Sequence, residues 1–171
     1  MIALPDKATV VEVGPRDGLQ SLSRWVETDH KVAMIDALSD VGFPVIEVTS
    51  FAHPKVIPML VDAEEVLSRI KRRPGTVYRA LVPNKRGALR AVETDIDEIL
   101  GLMTVSELYL AKNQNMSLDD AITTGGECFR VADEAGRAFV MALGMSMFCA
   151  YEGIIPIEKT LDCVARLRNL G

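Results

Sequence analysis

At 171 residues, with 49% hydrophobic and 25% charged side chains, the chain has the size and composition of one globular domain with a core of its own. A net charge of −5 argues against a general nucleic-acid or membrane-surface role. No apolar run reaches membrane-spanning length, and the N-terminus lacks the charged-then-apolar order of a signal peptide, so the expectation is a cytoplasmic protein, or an organelle protein in its mature form.

Short apolar runs alternate with amphipathic segments along the whole chain. The first strand is expected near Thr9–Val13, followed by a helix from about Asp29 to Val41 with Thr28 as N-cap and Gly42 after its end. Val32, Ile35, Leu38 and Val41 recur at helical spacing and form its expected core stripe. Strand two is expected at Val45–Thr49 and a second helix at Val61–Lys71, with Ala63, Val66, Leu67 and Ile70 on one face. The basic run Lys71-Arg72-Arg73 then complements that helix's C-terminal dipole. Strand three is expected at Val77–Val82, a helix at Lys85–Val92 and strand four at Glu98–Met103. The segment Ser106–Met116 reads as a long loop or short helix. Ser117 and Asp120 form a capping box for a helix to Ala135 that Gly136 closes. Strand five is expected at Phe139–Met145 and a last helix at Ile157–Leu170. Five βα units in succession predict a parallel α/β sheet with right-handed crossovers. Cys128 and Cys163 fall in helices as buried small hydrophobes, Cys149 ends strand five, and the three do not form a zinc or disulfide spacing.

The polar residues share one address. Arg16, Asp17 and Gln20 follow strand one. Glu47, Thr49 and Ser50 lie on or at the end of strand two, and Asn84 follows strand three. Ser106, Glu107 and Asn113 follow strand four, and Cys149, Tyr151 and Glu152 follow strand five. In parallel α/β folds that is the end where function gathers. Glu47 stands inside the apolar run Val45-Ile46-Glu47-Val48-Thr49, where a carboxylate needs a partner, a metal or a proton. A salt bridge to a neighbouring strand, for example to Arg79, is the structural alternative to a catalytic role. After the Gly14-Pro15 break, Arg16 and Asp17 pair a group that stabilises an oxyanion with one that binds a hard cation.

The string Val11-Glu12-Val13-Gly14-Pro15-Arg16-Asp17-Gly18-Leu19-Gln20 resembles the signature of the hydroxymethylglutaryl-CoA lyases. So do Val45-Ile46-Glu47-Val48-Thr49-Ser50-Phe51 with Pro54-Lys55, Ser106-Glu107 with Lys112-Asn113, and Cys149-Ala150-Tyr151-Glu152-Gly153. The order and spacing hold from about Thr9 to Gly171. The resemblance implies a (β/α)8 TIM barrel, of which this chain holds about the first five βα units as the N-terminal portion of a single catalytic domain. It implies Asp17 as a ligand of Mg²⁺ or Mn²⁺, Arg16 stabilising the enolate of the departing acetyl-CoA, and Glu47 supporting the metal-site network. Gln20, with Thr49 and Ser50, would support the site and the substrate. The reaction would be a metal-assisted retro-Claisen cleavage of 3-hydroxy-3-methylglutaryl-CoA, or a related 3-hydroxyacyl-CoA, to acetyl-CoA and acetoacetate, as in leucine catabolism and ketone body formation.

His53 stands where the family often has a small residue, and His30 opens a helix as a solvated side chain. A full barrel takes about 250 residues, and the family's His-x-His metal ligands, catalytic cysteine loop and later aspartate would fall beyond Gly171. The expectation is therefore a part of a longer enzyme, with an acyl-CoA substrate and no nucleic-acid or membrane partner. Open edges at strands one and five would favour pairing with another copy, as a homo-oligomer. Two other readings stand beside the lyase: an acetyl-CoA-condensing synthase of the isopropylmalate or homocitrate type, in which Leu-Arg-Asp-Gly usually replaces Pro15-Arg16-Asp17-Gly18, and a non-catalytic open half-barrel that oligomerises.

Overall fold

The computed structural model describes residues 5–170; Gly171, where the resemblance stops, lies outside them. Five strands form one parallel sheet in the order β1-β2-β3-β4-β5. They are β1 (Val11–Glu12), β2 (Val45–Ser50), β3 (Val77–Val82), β4 (Glu98–Thr104) and β5 (Ala138–Gly144). The helices α1 (Thr28–Val41), α2 (Ala63–Arg69), α3 (Lys85–Val92), α4 (Glu107–Gln114), α5 (Leu118–Glu134) and α6 (Ile157–Arg168) lie between and after them. Because spatial order follows chain order, the sheet is an arc of a (β/α)8 barrel rather than a doubly wound sheet, whose strand order reverses at a switch point.

Strand alternation divides the side chains between two faces. Ile46, Val48, Tyr78, Ala80, Val82 and Ile99 point to the helices and form the main core with Ile35, Ala63, Val66, Leu67, Ala88 and Val131. Met103, Val105, Leu110, Ile122, Cys149 and Cys163 form a second core under α4, α5 and α6. The other alternation carries Glu47, Thr49, Arg79, Leu81, Glu98, Leu100 and Leu102 on the concave side of the arc. Leu102 there is exposed.

Several local expectations are revised. Among the described residues β1 pairs only with β2, and it is two residues long, because the Val13 carbonyl is taken by the Arg16 and Asp17 N–H groups rather than by a strand. Thr28 is not the N-cap of α1; it is the first helical residue, Glu27 caps by backbone alone, and the Thr28 hydroxyl donates to Asp62 at 2.7 Å. Val41 is not in the core stripe: it is 73% exposed, and the buried face of α1 runs through Lys31, Ile35 and Ser39 instead. Ser39 is tolerated there because its hydroxyl donates to the Ile35 carbonyl and accepts from the Tyr78 hydroxyl. α2 stops at Arg69, so the basic run lies beyond its end. The Lys71 N–H bonds Asp36 at 2.7 Å, Arg72 meets Asp97 at 2.5 Å, and Arg73 meets Asp40. Cys149 does not end β5. It lies in a separate antiparallel pair, β6 (Phe148–Cys149) with β7 (Gly153–Ile154), whose strands are too short to show a period in sequence.

The Ser117–Asp120 capping box is present, with both reciprocal bonds made, and Gly136 after α5 has the expected positive φ of 65°. Ser117→Ala removes the acceptor for the Asp120 N–H, and the expected loss is about 1 kcal/mol of unfolding free energy, read from the urea midpoint. An unchanged midpoint would show that α5 holds without its cap.

Candidate active site

The chain leaves β1 into a single π-helical turn, Gly14–Gly18, which Pro15 opens with its fixed φ and which brings Arg16 and Asp17 to the carboxyl end of the sheet. The Gly14 N–H bonds the Glu12 carboxylate at 2.5 Å and pins the turn to its own strand. From there the Arg16 side chain reaches over β2. Its Nε donates to Glu47 Oε1, and its Nη1 donates to Asp17 Oδ1 at 2.9 Å. One guanidinium thus bridges two carboxylates of opposite character: the Glu47 side chain is 3% exposed and the Asp17 side chain 63%. Glu47 faces Arg79 across the β2–β3 register but does not pair with it; Arg79 is engaged by Glu98 at 2.5 Å on the next strand. The partner that a buried carboxylate requires is therefore Arg16, 31 residues earlier in the chain.

Thr49 and Ser50 are buried at the end of β2, and Ser50 Oγ accepts the Ala52 N–H at 3.2 Å, which turns the chain off the strand. Gln20 is exposed and makes no hydrogen bond with Arg16 or Asp17 among the described residues. His30 is exposed at the start of α1, as expected of a solvated residue. His53 is exposed in the loop after β2, beside Asn84, whose side chain caps α3 by accepting the Gly87 N–H at 3.0 Å.

A second cluster joins the loops after β4 and β5. Ser106, fully buried, donates to Cys149 Sγ at 3.0 Å and accepts the Tyr109 N–H at 3.0 Å as the N-cap of α4. Glu152 accepts the Leu108 N–H at 2.6 Å, and Lys159 on α6 reaches Glu107 at 3.1 Å and Glu152 at 3.7 Å. Lys112 lies over the Tyr151 ring, and Asn113 donates back to the Tyr109 carbonyl within α4. Sequence spacing placed these residues at one end of the fold but could not show that Cys149, Ser106 and Glu152 form a clasp.

The Leu108 N–H bond holds the Glu152 carboxyl below its ordinary value of 4.5; burial opposes this, and Ser106 and Lys159 add to it. A carboxyl depressed in the folded state contributes stability above its unfolded pKa and loses it as the pH falls through the folded one. The clasp is expected to open in acid, starting near pH 4.5 and continuing below it. The Leu108 amide resonance should follow that titration, and an amide insensitive to acid would remove Glu152 from the role.

The arrangement can stabilise a developing oxyanion through Arg16 and offer one carboxylate, Asp17, to a cation. As a metal site the residues present supply one corner. Asp17 is accessible and oxygen-bearing, which suits a hard divalent ion, but among the described residues no three His, Cys, Asp or Glu side chains cluster so as to hold one. Nor, among the described residues, is any helix long and apolar enough to cross a membrane.

The chain is similar in sequence and in fold to known proteins. Hydroxymethylglutaryl-CoA lyase YngG of Bacillus subtilis is 41% identical over 98% of this chain and 56% of its own length. The mitochondrial hydroxymethylglutaryl-CoA lyase of Bos taurus is 38% identical over 98% of this chain and 51% of its own. The crystal structure of the Bacillus subtilis HMG-CoA lyase superposes with a TM-score of 0.94 at 39% identity, over 99% of this chain and 57% of that one. An HMG-CoA lyase from Acinetobacter baumannii, solved with coenzyme A and 3-methylmalate, gives 0.91 at 36% identity, over 100% and 56%. The chain spans about half the length of the relatives it matches. The HMGL-like family model matches residues 7–171, and the chain belongs to that family.

Proposed function

We propose that residues 7–171 are the first part of a single barrel domain that cleaves 3-hydroxy-3-methylglutaryl-CoA, or a related 3-hydroxyacyl-CoA, to acetyl-CoA and acetoacetate. The observation that carries this reading is the Arg16 guanidinium fixed between buried Glu47 and exposed Asp17 at the carboxyl ends of β1 and β2.

In a retro-Claisen cleavage a base takes the proton of the tertiary hydroxyl. The electron pair forms the ketone of acetoacetate, the carbon–carbon bond breaks, and its electrons become the thioester enolate, which a proton then quenches. Two of the five N–H donors of Arg16 are engaged by the carboxylates, which leaves the others to meet the thioester oxygen as it gains charge. Glu47 fixes the plane of the guanidinium before substrate arrives, so little reorganisation accompanies the reaction. A divalent cation held by Asp17 and further ligands beyond these residues, with Gln20, Thr49 and Ser50 in the supporting roles that the family resemblance implies, would acidify the hydroxyl and polarise the new ketone.

The test is acetoacetate release from hydroxymethylglutaryl-CoA by the purified protein in Mg²⁺ or Mn²⁺. The expected result is cleavage that a chelator abolishes and metal restores. Condensation of acetyl-CoA with a 2-oxo acid under the same conditions would identify the synthase instead. If neither reaction occurs with either metal, the non-catalytic half-barrel stands. One feature favours that second reading: Ile154, Ile157 and Leu161 leave an apolar stripe exposed along β7 and α6 that another copy could cover.

A further inference from the structure

The concave face carries a row of alternating charge at one level of the sheet. Arg16 bonds Glu47 on β2, the register partner of Glu47 on β3 is Arg79, and the register partner of Arg79 on β4 is Glu98. Neighbouring strands lie about 4.8 Å apart, so Glu47, Arg79 and Glu98 stand side by side on one face. The row ends at Glu98. Its register partner on β5 is Ala138, and Arg137, just before it, gives Nη2 to the Thr94 carbonyl at 3.1 Å.

Proximity alone does not dictate the pairing within this row. Arg79 is flanked by two carboxylates and bonds Glu98, through Nε at 2.5 Å. Glu47 takes its cation from Arg16 instead, on Oε1; among the described residues no hydrogen bond reaches Oε2. Glu47 thus keeps one oxygen open although a guanidinium stands beside it. The Arg79 and Glu98 side chains are only 15% and 16% exposed, so water does little to replace a lost partner of either. A guanidinium in that place needs a carboxylate. If Glu98 did not supply one, the alternative at the same level of the sheet is Glu47.

We propose that Glu98 is a positioning residue for the site: by holding Arg79 it reserves Glu47 for Arg16. Glu98 acts through Arg79 and touches no reacting group. With Arg79 engaged, Glu47 orients a single guanidinium, and the plane of Arg16 is fixed. Without Glu98, Arg79 turns to Glu47 Oε2, two guanidiniums share one carboxylate, and the orientation of Arg16 is lost. The assignment rests on the reading of Arg16 as the group that stabilises the enolate. A pair kept only for stability makes the loss of either partner similarly harmful. A pair that restrains Arg79 is asymmetric: removing Glu98 releases a competitor, and removing Arg79 abolishes it.

Glu98→Gln, Arg79→Met and the two combined test that asymmetry with two readouts. The first needs no substrate: the Nε–H resonance of Arg16 in ¹H–¹⁵N spectra, identified by its loss in Arg16→Lys. It is expected to shift in Glu98→Gln and to lie near its wild-type position in Arg79→Met and in the double variant. The second is acetoacetate release, where kcat should fall about tenfold in Glu98→Gln at an unchanged KM and recover in the double variant. Glu98→Asp, which keeps the charge and shortens the reach, should shift the resonance the same way by less, and it serves if Glu98→Gln does not fold. A resonance that stays in place in the Glu98 variants, or moves as far in Arg79→Met as in Glu98→Gln, overturns the proposal. The lyase reading separates from it. An asymmetric resonance without acetoacetate release from the wild-type protein keeps Glu98 in its role and removes the lyase. Acetoacetate release with a resonance indifferent to Glu98 does the reverse.

Discussion

Arg16→Ala is expected to lower the unfolding free energy by about 3 kcal/mol and to reduce acetyl-CoA release by about 10²–10³-fold. The first effect follows from burial. The Glu47 side chain is 3% exposed, and removing its guanidinium partner leaves a carboxylate with neither water nor a countercharge. Loss of one partner of a buried ion pair costs about 3–5 kcal/mol, and Arg16 belongs at the low end because 15% of its side chain remains in water. The second effect follows from the donors that the carboxylates leave unused. The two effects can be dissociated. Arg16→Ala combined with Glu47→Gln removes the buried charge together with its partner, so stability should largely return while cleavage stays lost. Arg16→Lys should retain the charge but not the fork that meets both carboxylates, giving an intermediate loss of each. Denaturant midpoints and initial rates on the four proteins decide the matter. If the double variant does not recover stability, Glu47 acts on its own account rather than through Arg16.

That pair also shows how far the sequence can be read. The order of five βα units was legible because each element is long enough to display its period, and α3 and β3 keep the bounds their patterns imply, Lys85–Val92 and Val77–Val82. The need of Glu47 for a partner was legible too, because a carboxylate inside an apolar strand breaks the pattern around it. The identity of the partner was not. Arg79 is the register neighbour, yet Arg79 turns to Glu98 and the longer-range Arg16 prevails. The π-helical turn that carries Arg16 over β2 leaves no periodic trace in five residues. The β6–β7 pair is hidden for the same reason, and with it the burial of Cys149 against Ser106. On α1 the apolar spacing pointed to Val41, whereas the helix turns Lys31 and Ser39 inward. Polar residues that find a partner can occupy a core face, and periodicity counts only the apolar ones.

Lys31 carries the second large expected effect. Its side chain is 3% exposed; the ammonium donates to the Met59 carbonyl and to Asp62 Oδ1, both at 2.7 Å, and sits 3.8 Å from the centre of the Trp25 ring. Asp62 Oδ2 takes the Thr28 hydroxyl at 2.7 Å, so the carboxylate is bonded on both oxygens. Lys31→Met keeps the aliphatic stem and removes the charge, leaving a nearly buried Asp62 with a single neutral donor; the expected loss is about 3–5 kcal/mol. Asp62→Asn, which keeps an acceptor for Thr28 but strands the ammonium, should cost about as much. The double variant Lys31→Met with Asp62→Asn should cost clearly less than the sum, with a coupling of about 2 kcal/mol from a urea-denaturation cycle. Additive losses would mean that the pair is solvated in solution and that Lys31 acts only through packing on Trp25. The pair also has a bearing on the site. Thr28 and Lys31 stand where the chain returns from the Arg16 turn into α1, while Met59 and Asp62 lie in the connection that leaves Ser50, Phe51 and His53 for α2. One buried ammonium therefore ties the loop after β1 to the loop after β2, so Lys31→Met should lower the cleavage rate even where enough protein remains folded to assay.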